Sequence, residues 1–380
     1  MSKRYFSYQA GMSIVEIMVG VLIGMIAIIV MFQVLSVSES RKRSTTGAGD
    51  LQTSGSIAMY LLDRDIRAAG FGFATAGNAL GCNVAAYDAT RTPTDFTFPL
   101  VPALINQTNG AAGPDTIIVL SGNSSNVVSA KEFSDSTADT KIMQAQRRFG
   151  FLRGDMVIAT AAPPLLPSCT LLEITDNTNP DSVTLVHAQA GTEYTSDFSG
   201  QTEARFNRPG GPVTAFEDGK LFNLGGAPRR TIWTVSNGTL TFVNDFGASS
   251  SQVDAGSGVI NMKAAYGIDS NDNNQLEDAE WVTVTPTTPE GWGHLMAIRI
   301  SILVRGDHWD REHCSLNPQY QSGAGAVDFV MNNVNGGADA FSACTPGTVP
   351  ADSDPNNWRN YRYRVYESVV PLKNMLWGAT

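Results

Sequence analysis

The longest apolar run stands near the start of the chain. From Met12 to Phe32 every residue is apolar or glycine except Ser13 and one carboxylate, Glu16. About 20 such residues are enough to cross a hydrocarbon core as a helix, and a carboxylate inside such a span is costly enough to mark a function. A second pattern follows. Leu51, Ile57, Ala58, Leu61, Leu62, Ile66 and Ala69 recur at spacings of three and four, which is the helical period. Asp63, Arg64, Asp65 and Arg67 fill the remaining positions and read as a solvated, internally paired face. Gly47, Gly49 and Gly55 lower helix propensity between Ser44 and Ser56 and predict a softened segment there. Gly70, followed by Phe71 and Gly72, predicts the stop. One helix is therefore expected over 12–69, a span first and an amphipathic spine afterwards.

Beyond Gly77 the period changes to two. Asp115–Gly122, Asp155–Ala161, Asp181–His187 and Thr231–Val243 read as short strands. The last contains Asn237-Gly238 between two β-rich runs, a strong hairpin signal. His294–Gly306 alternates as a long strand with Met296, Ile298, Ile300, Ile302 and Val304 on one face. Tyr361–Leu372 alternates too, and Pro371 predicts that it ends at a sheet edge. The 123–148 and 190–228 stretches are polar and read as loops. The fold class is α+β: a long hydrophobic N-terminal helix, then a β-rich body over 70–380.

Composition sharpens this picture. Of 380 residues 42% are hydrophobic and only 16% charged, with 36 glycines. That mix suits an extracytoplasmic, loop-heavy β body. A net charge of −10 excludes a general nucleic-acid binder. Lys3 and Arg4 hold the leader on the cytoplasmic side and place everything beyond Phe32 outside; Arg41, Lys42 and Arg43 do not reverse this, because long domains translocate largely regardless of charge. A secretory signal peptide carries its small-residue cleavage site after the apolar segment. Here the glycine, Gly11, stands directly before it, so a cut there keeps the helix. Losing Lys3 and Arg4 with residues 1–11 takes the net charge from −10 to −12.

These features resemble the type IV pilin-like proteins, whose class III leader ends in glycine, is cut by prepilin peptidase and leaves a methylated N-terminus. Gly11, Met12 and Glu16 match the cleavage site, the first mature residue and the glutamate at the fifth mature position. The family usually has Phe where Met12 stands. The phrase YLLDRDIRAAGFGF (Tyr60–Phe73), the strand AIRISILVR (Ala297–Arg305) and the end VPLKN (Val370–Asn374) are similar to PilW-type minor pilins. The resemblance implies a minor pilin that waits in the inner membrane with a periplasmic domain. It then joins other minor pilins and the major pilin to prime assembly, and stays at or near the filament tip on the cell surface. Glu16 would meet the Met12 amine of a neighbouring subunit. Gly20 and Gly24 form a small-xxx-small pair suited to close helix approach. The rival readings are a minor pseudopilin of type II secretion and a pilus-tip adhesin.

Four cysteines lie beyond the span, where disulfides persist. Three pairings are open; Cys82–Cys169 with Cys314–Cys344 is the expected one, since each bridge then clips a sequence-local region. The loop Asp269–Glu280 places Asp269, Asn271 and Asn273 at positions one, three and five, Gln275 at seven, Glu277 at nine and Glu280 at twelve. This is the calcium-ligand order of an EF-hand, with Asn274 where glycine usually stands. An Asx-rich hairpin end explains the same residues, and both readings remain open. His308, Asp310, Glu312 and His313 cluster without the HExxH spacing. There is no GxSxG elbow, P-loop or dinucleotide fingerprint, and no enzyme is expected.

Overall fold

The computed structural model describes residues 11–378 apart from 108–109, 111, 125, 127–128, 137–138, 142–148, 162–167, 177–182, 199, 213, 248–250, 311–312, 324 and 339–353. Two compact units divide the chain, Met1–Asp50 and Leu51–Thr380. Helix α1 (Ile14–Arg67) contributes to both. In the first unit its apolar side chains, from Met12 to Val37, are exposed to the surroundings of the chain.

From Leu51 onward α1 has a buried face. Ala58, Leu62, Ile66 and Ala69 are fully covered in the main core, whereas Ile57 is exposed. No softened segment separates the glycines: the helix is continuous through Gly47, Gly49 and Gly55. Packing accounts for the glycine at 55, because a methyl there would overlap the Tyr366 ring. The charged face is also less solvated than its spacing predicts. Asp65 is buried, accepting from the indole Nε1 of Trp233 at 3.1 Å with Arg229 beside it at 3.6 Å. The α-helix ends at Arg67, and Gly70 follows at φ +79, its N–H donating to the Leu120 carbonyl at 3.0 Å. Asn374 Nδ2 donates to the Ala68 and Ala69 carbonyls, satisfying acceptors that a helix end leaves open.

Three main sheets fill the second unit. The first has six strands: β1 (Asn83–Tyr87), β2 (Asp95–Pro99), β5 (Lys131–Phe133), β7 (Met156–Ala161), β8 (Ser168–Glu173) and β10 (Gly219–Gly225), ordered β2–β1–β8–β7–β10–β5. The second has β3 (Ala103–Asn106), β4 (Thr116–Ser121), β11 (Arg229–Ser236), β12 (Thr239–Asn244) and β13 (Val253–Ser257), ordered β13–β12–β11–β4–β3. The third has β14 (Val259–Ile268), β15 (Trp281–Val282), β16 (Leu295–Arg305) and β19 (Tyr363–Pro371), ordered β15–β14–β16–β19. Two small pairs complete the set, β6 (Asp139–Lys141) with β9 (Thr184–Val186) and β17 (Gln319–Ser322) with β18 (Gly325–Asp328).

Several of these follow the sequence closely. Asn237 and Gly238 take φ of 51 and 74 between β11 and β12, as a two-residue hairpin turn with both central residues left-handed requires. Along β16, Ile298, Ile300, Ile302 and Val304 enter the same core as the α1 face. β19 is an edge strand ending at Pro371. The expectation of loops over 123–148 and 190–228 is corrected, since β5 and β6 lie in the first and β10 in the second. β10 escapes notice because it opens and closes on glycine. Gly219 is needed there, since a side chain would collide with the Thr160 carbonyl.

The parallel pairing of β1 with β8 is pinned by the Cys82–Cys169 disulfide, with Cα atoms 6.1 Å apart. Cys314 is disulfide-bonded too, and Cys344 lies outside the described residues.

Candidate functional site

The N-terminal features form a group along one helix start. Gly11 is exposed with open space around it. Ser13 caps α1: its Oγ accepts the Val15 N–H at 3.1 Å, and its carbonyl accepts from Glu16 and Ile17. Glu16 therefore falls in the first turn, where the positive end of the helix dipole favours a carboxylate. The apolar segment Ile14–Glu39 has 26 residues, none of them buried within the chain. At about 1.5 Å per residue it exceeds a hydrocarbon core of about 30 Å. Gly20 and Gly24 have nothing within 4 Å, leaving a notch one turn long on an otherwise bulky surface.

The acidic loop joins β14 to β15 and is closed by its own hydrogen bonds. Asp269 is buried and accepts the N–H of Asn273 at 3.1 Å and of Asn274 at 2.7 Å. Asn271 accepts from Asn273 N–H, and Asn273 from Gln275 N–H. Glu280 Oε1 takes the Ser270 N–H and hydroxyl, while Oε2 takes the Glu277 N–H at 3.0 Å. These backbone donors at Glu277 and Ser270 hold the Glu280 carboxyl below its usual range. Glu277 answers with a reciprocal bond, so the pair forms a capping box over a single 3-10 turn. Asp272 and Asn274, the fourth and sixth loop positions, adopt φ of 58 and 60. Among the described residues, no three carboxylate, imidazole or thiolate groups are gathered closely enough to hold a metal ion.

Of the His308–Cys314 run, His308–Asp310 and His313–Cys314 are described and belong to no helix or strand, and the Asp310 N–H donates to the Asn360 carbonyl at 2.9 Å. Asp310 pairs with Arg362 at 3.2 Å and His313 Nε2 lies 2.9 Å from Ser315 Oγ; Glu312 lies outside the described residues. Burial and the neighbouring Arg362 push the His313 ring below its usual value, so it is neutral near pH 7. The other face of β16 does not stand out in the apolar pattern; there Arg299 and Ser301 open onto a cavity of about 300 Å³. The signal was present in the alternation itself, as two polar side chains in the opposite phase of an apolar strand.

Comparison with known proteins bears on the C-terminal part of the chain. Residues 232–374, from β11 to the short helix after β19, match the family described as Type IV Pilus-assembly protein W. No curated protein matches the chain. Among solved structures, a type IV-like pilin from Thermus thermophilus is similar over 86% of this chain and 97% of its own, at 8% identity and a TM-score of 0.29.

Proposed function

We propose that this chain, whose residues 232–374 carry the Type IV pilus-assembly W signature, is a minor pilin that primes pilus assembly and remains at or near the tip. The observation that carries the reading is α1. A single helix presents only apolar side chains and Glu16 over its first turns, then supplies a core face to a β-rich body. A helix apolar all round needs lipid or other helices to cover it. Before assembly that cover is the inner membrane, with the β-rich body in the periplasm; in the filament it is the helices of the major pilin and other minor pilins.

Prepilin peptidase would act at the exposed Gly11, and the new Met12 amine would be methylated. Glu16 would neutralise the equivalent amine of a neighbouring subunit, removing two charges from an apolar packing at once. The work is assembly rather than catalysis. The experiment is Glu16→Val in a piliated strain. Insertion should be unimpaired, since removing a charge favours the membrane, while the protein disappears from sheared filaments and surface pili fall in number. Normal piliation with the mutant protein present in filaments would overturn the role. Pilus-assembly genes beside its own would favour this reading, and secretion genes would favour the pseudopilin of a secretion system.

The proposal extends to calcium at Asp269–Glu280. What favours it is the backbone, with the sixth position at φ 60 making the sharp turn that calcium loops make with glycine. The side chains of Asp269, Asn271, Asn273, Glu277 and Glu280 and the Gln275 carbonyl would supply oxygens, with Glu280 turning from its N–H donors to the ion.

A further inference from the structure

We propose that the outer face of the C-terminal sheet holds a binding site for a single carboxylate, with Arg299 as its recognition group. The site is the cavity between β14, β16 and the β17–β18 hairpin, lined by Asp115, Lys263, Arg299, Ser301, Tyr320 and Gln321 among others. Every other charged group around it already has hydrogen-bond partners within the chain. Lys263 Nζ donates to the Gly113 carbonyl at 2.6 Å, to Asp115 Oδ1 at 3.1 Å and to the Gly110 carbonyl at 3.3 Å, using all three ammonium hydrogens. The other Asp115 oxygen accepts the Ala264 N–H at 2.9 Å. Glu367 Oε1 accepts from Ser301 Oγ at 2.9 Å and from the Gln321 N–H at 2.8 Å.

Arg299 differs. Among the described residues no carboxylate stands within ion-pair distance of it; its guanidinium lies over the Trp281 ring, 4.1 Å from the centroid. The ring in turn is seated on Gly267, where a Cβ would come within 2.9 Å of Trp281 Cζ3. Gly267 pairs with Trp281 on one side and with Ala297 on the other, so Trp281 and Arg299 meet across the sheet by register. A stacked guanidinium has one face covered and its planar fork of N–H donors pointing outward, preorganised for two oxygens in one plane.

Charge selects the ligand class. Lys263 and Asp115 cancel and Glu367 adds a negative charge nearby, so Arg299 is the one cation of the cavity lining without a carboxylate beside it among the described residues. One charge matches a carboxylate. A phosphate dianion would meet one cation and the carboxylates of Asp115 and Glu367 close by. The carboxylate can come from a free small acid or from an acidic side chain of another polypeptide, and the chemistry at Arg299 is the same.

The test is calorimetric titration of the full chain in an uncharged detergent. Glucuronate is compared with glucose, and a short Glu-containing peptide with its Gln counterpart. We expect saturable binding of at least one acid, no binding of its neutral counterpart, and roughly tenfold or greater weakening in Arg299→Gln. Binding of the peptide but not the sugar acid assigns the source to a polypeptide, and the reverse to a small molecule. Should Arg299→Gln fail to fold, Arg299→Lys keeps the charge but loses the fork, and weaker acid binding is again expected. Absence of saturable binding by either acid overturns the site, as does acid binding undiminished by the variant that folds.

Discussion

Tyr366 lays its ring across α1 at Gly55 and donates its hydroxyl to the Leu51 carbonyl at 3.1 Å. Helix propensity alone favours Ala over Gly at that position by about 1 kcal/mol. The added methyl must displace the ring and its hydrogen bond, an overpacking cost of about 1–3 kcal/mol. Gly55→Ala should therefore lower the melting temperature, and adding Tyr366→Leu should return part of the loss; stabilisation by Gly55→Ala would show that the contact is loose. Asp88 gives a pH prediction at the same scale. Burial pushes its carboxyl up, but Arg205 and the Thr90 N–H and hydroxyl outweigh this and hold it below the ordinary value of 3.8. A carboxyl lower in the folded state contributes stability that is full above its unfolded value. That stability is lost as pH falls through the folded one. Asp88→Asn should lower the melting temperature near neutrality and flatten its decline below about pH 4. An acid limb as steep as in the wild type would remove Asp88 from that role.

At the scale of the element, the loop Asp269–Glu280 offers a direct comparison. Calcium must displace the Ser270 and Glu277 N–H groups from Glu280, so affinity should lie in the weak, extracellular range of about 10⁻⁴–10⁻³ M. Millimolar calcium should raise the melting temperature of the full chain over that in EDTA, a stabilisation of about 0.4–1.4 kcal/mol at about 1 mM for a Kd in that range. Glu280→Ala should abolish the rise. Identical melting of the wild type in both buffers leaves a hairpin end closed by its own bonds. The same scale explains what could be read from sequence. α1, the Asn237-Gly238 turn and β16 were legible because each is specified by neighbours in the chain. β10 was not, since Asn223 interrupts its apolar residues Leu221, Phe222 and Leu224 between two glycines, and it becomes a strand only with β7 and β5 on either side. Asp65 was misplaced for a related reason: helical spacing put it with the charges, and only Trp233 from β11 shows that it is covered. Glu16 stands out in the sequence as a carboxylate in an apolar run, whereas Arg299 needed Trp281 and Gly267 from two other strands to become distinctive.

For the whole molecule, the Cys82–Cys169 bridge joins positions 87 residues apart across a parallel strand pair. Parallel strands cannot be closed by a local turn, so the bridge restricts an unfolded chain that otherwise explores widely. By loop length its removal should cost about 4 kcal/mol. Cys82→Ser with Cys169→Ser should lower the melting temperature substantially in oxidising buffer and erase the effect of reductant on this pair. Equal melting of the wild type and the double variant would show that the six-stranded sheet holds without the bridge.

The contact between α1 and the last strand has a temporal consequence. Tyr366 reaches Leu51 across 315 residues, and Asn374 reaches Ala68 across 306. During synthesis the helix emerges about 300 residues before the strand that covers Gly55. Over that interval of chain elongation, the stripe of Ala58, Leu62 and Ile66 stands without its final cover. Uncovered apolar surface on a tethered, incomplete chain is the condition under which wrong partners are captured. Loss of the Tyr363–Pro371 strand would thus act at a helix about 300 residues before it, leaving a body that never closes.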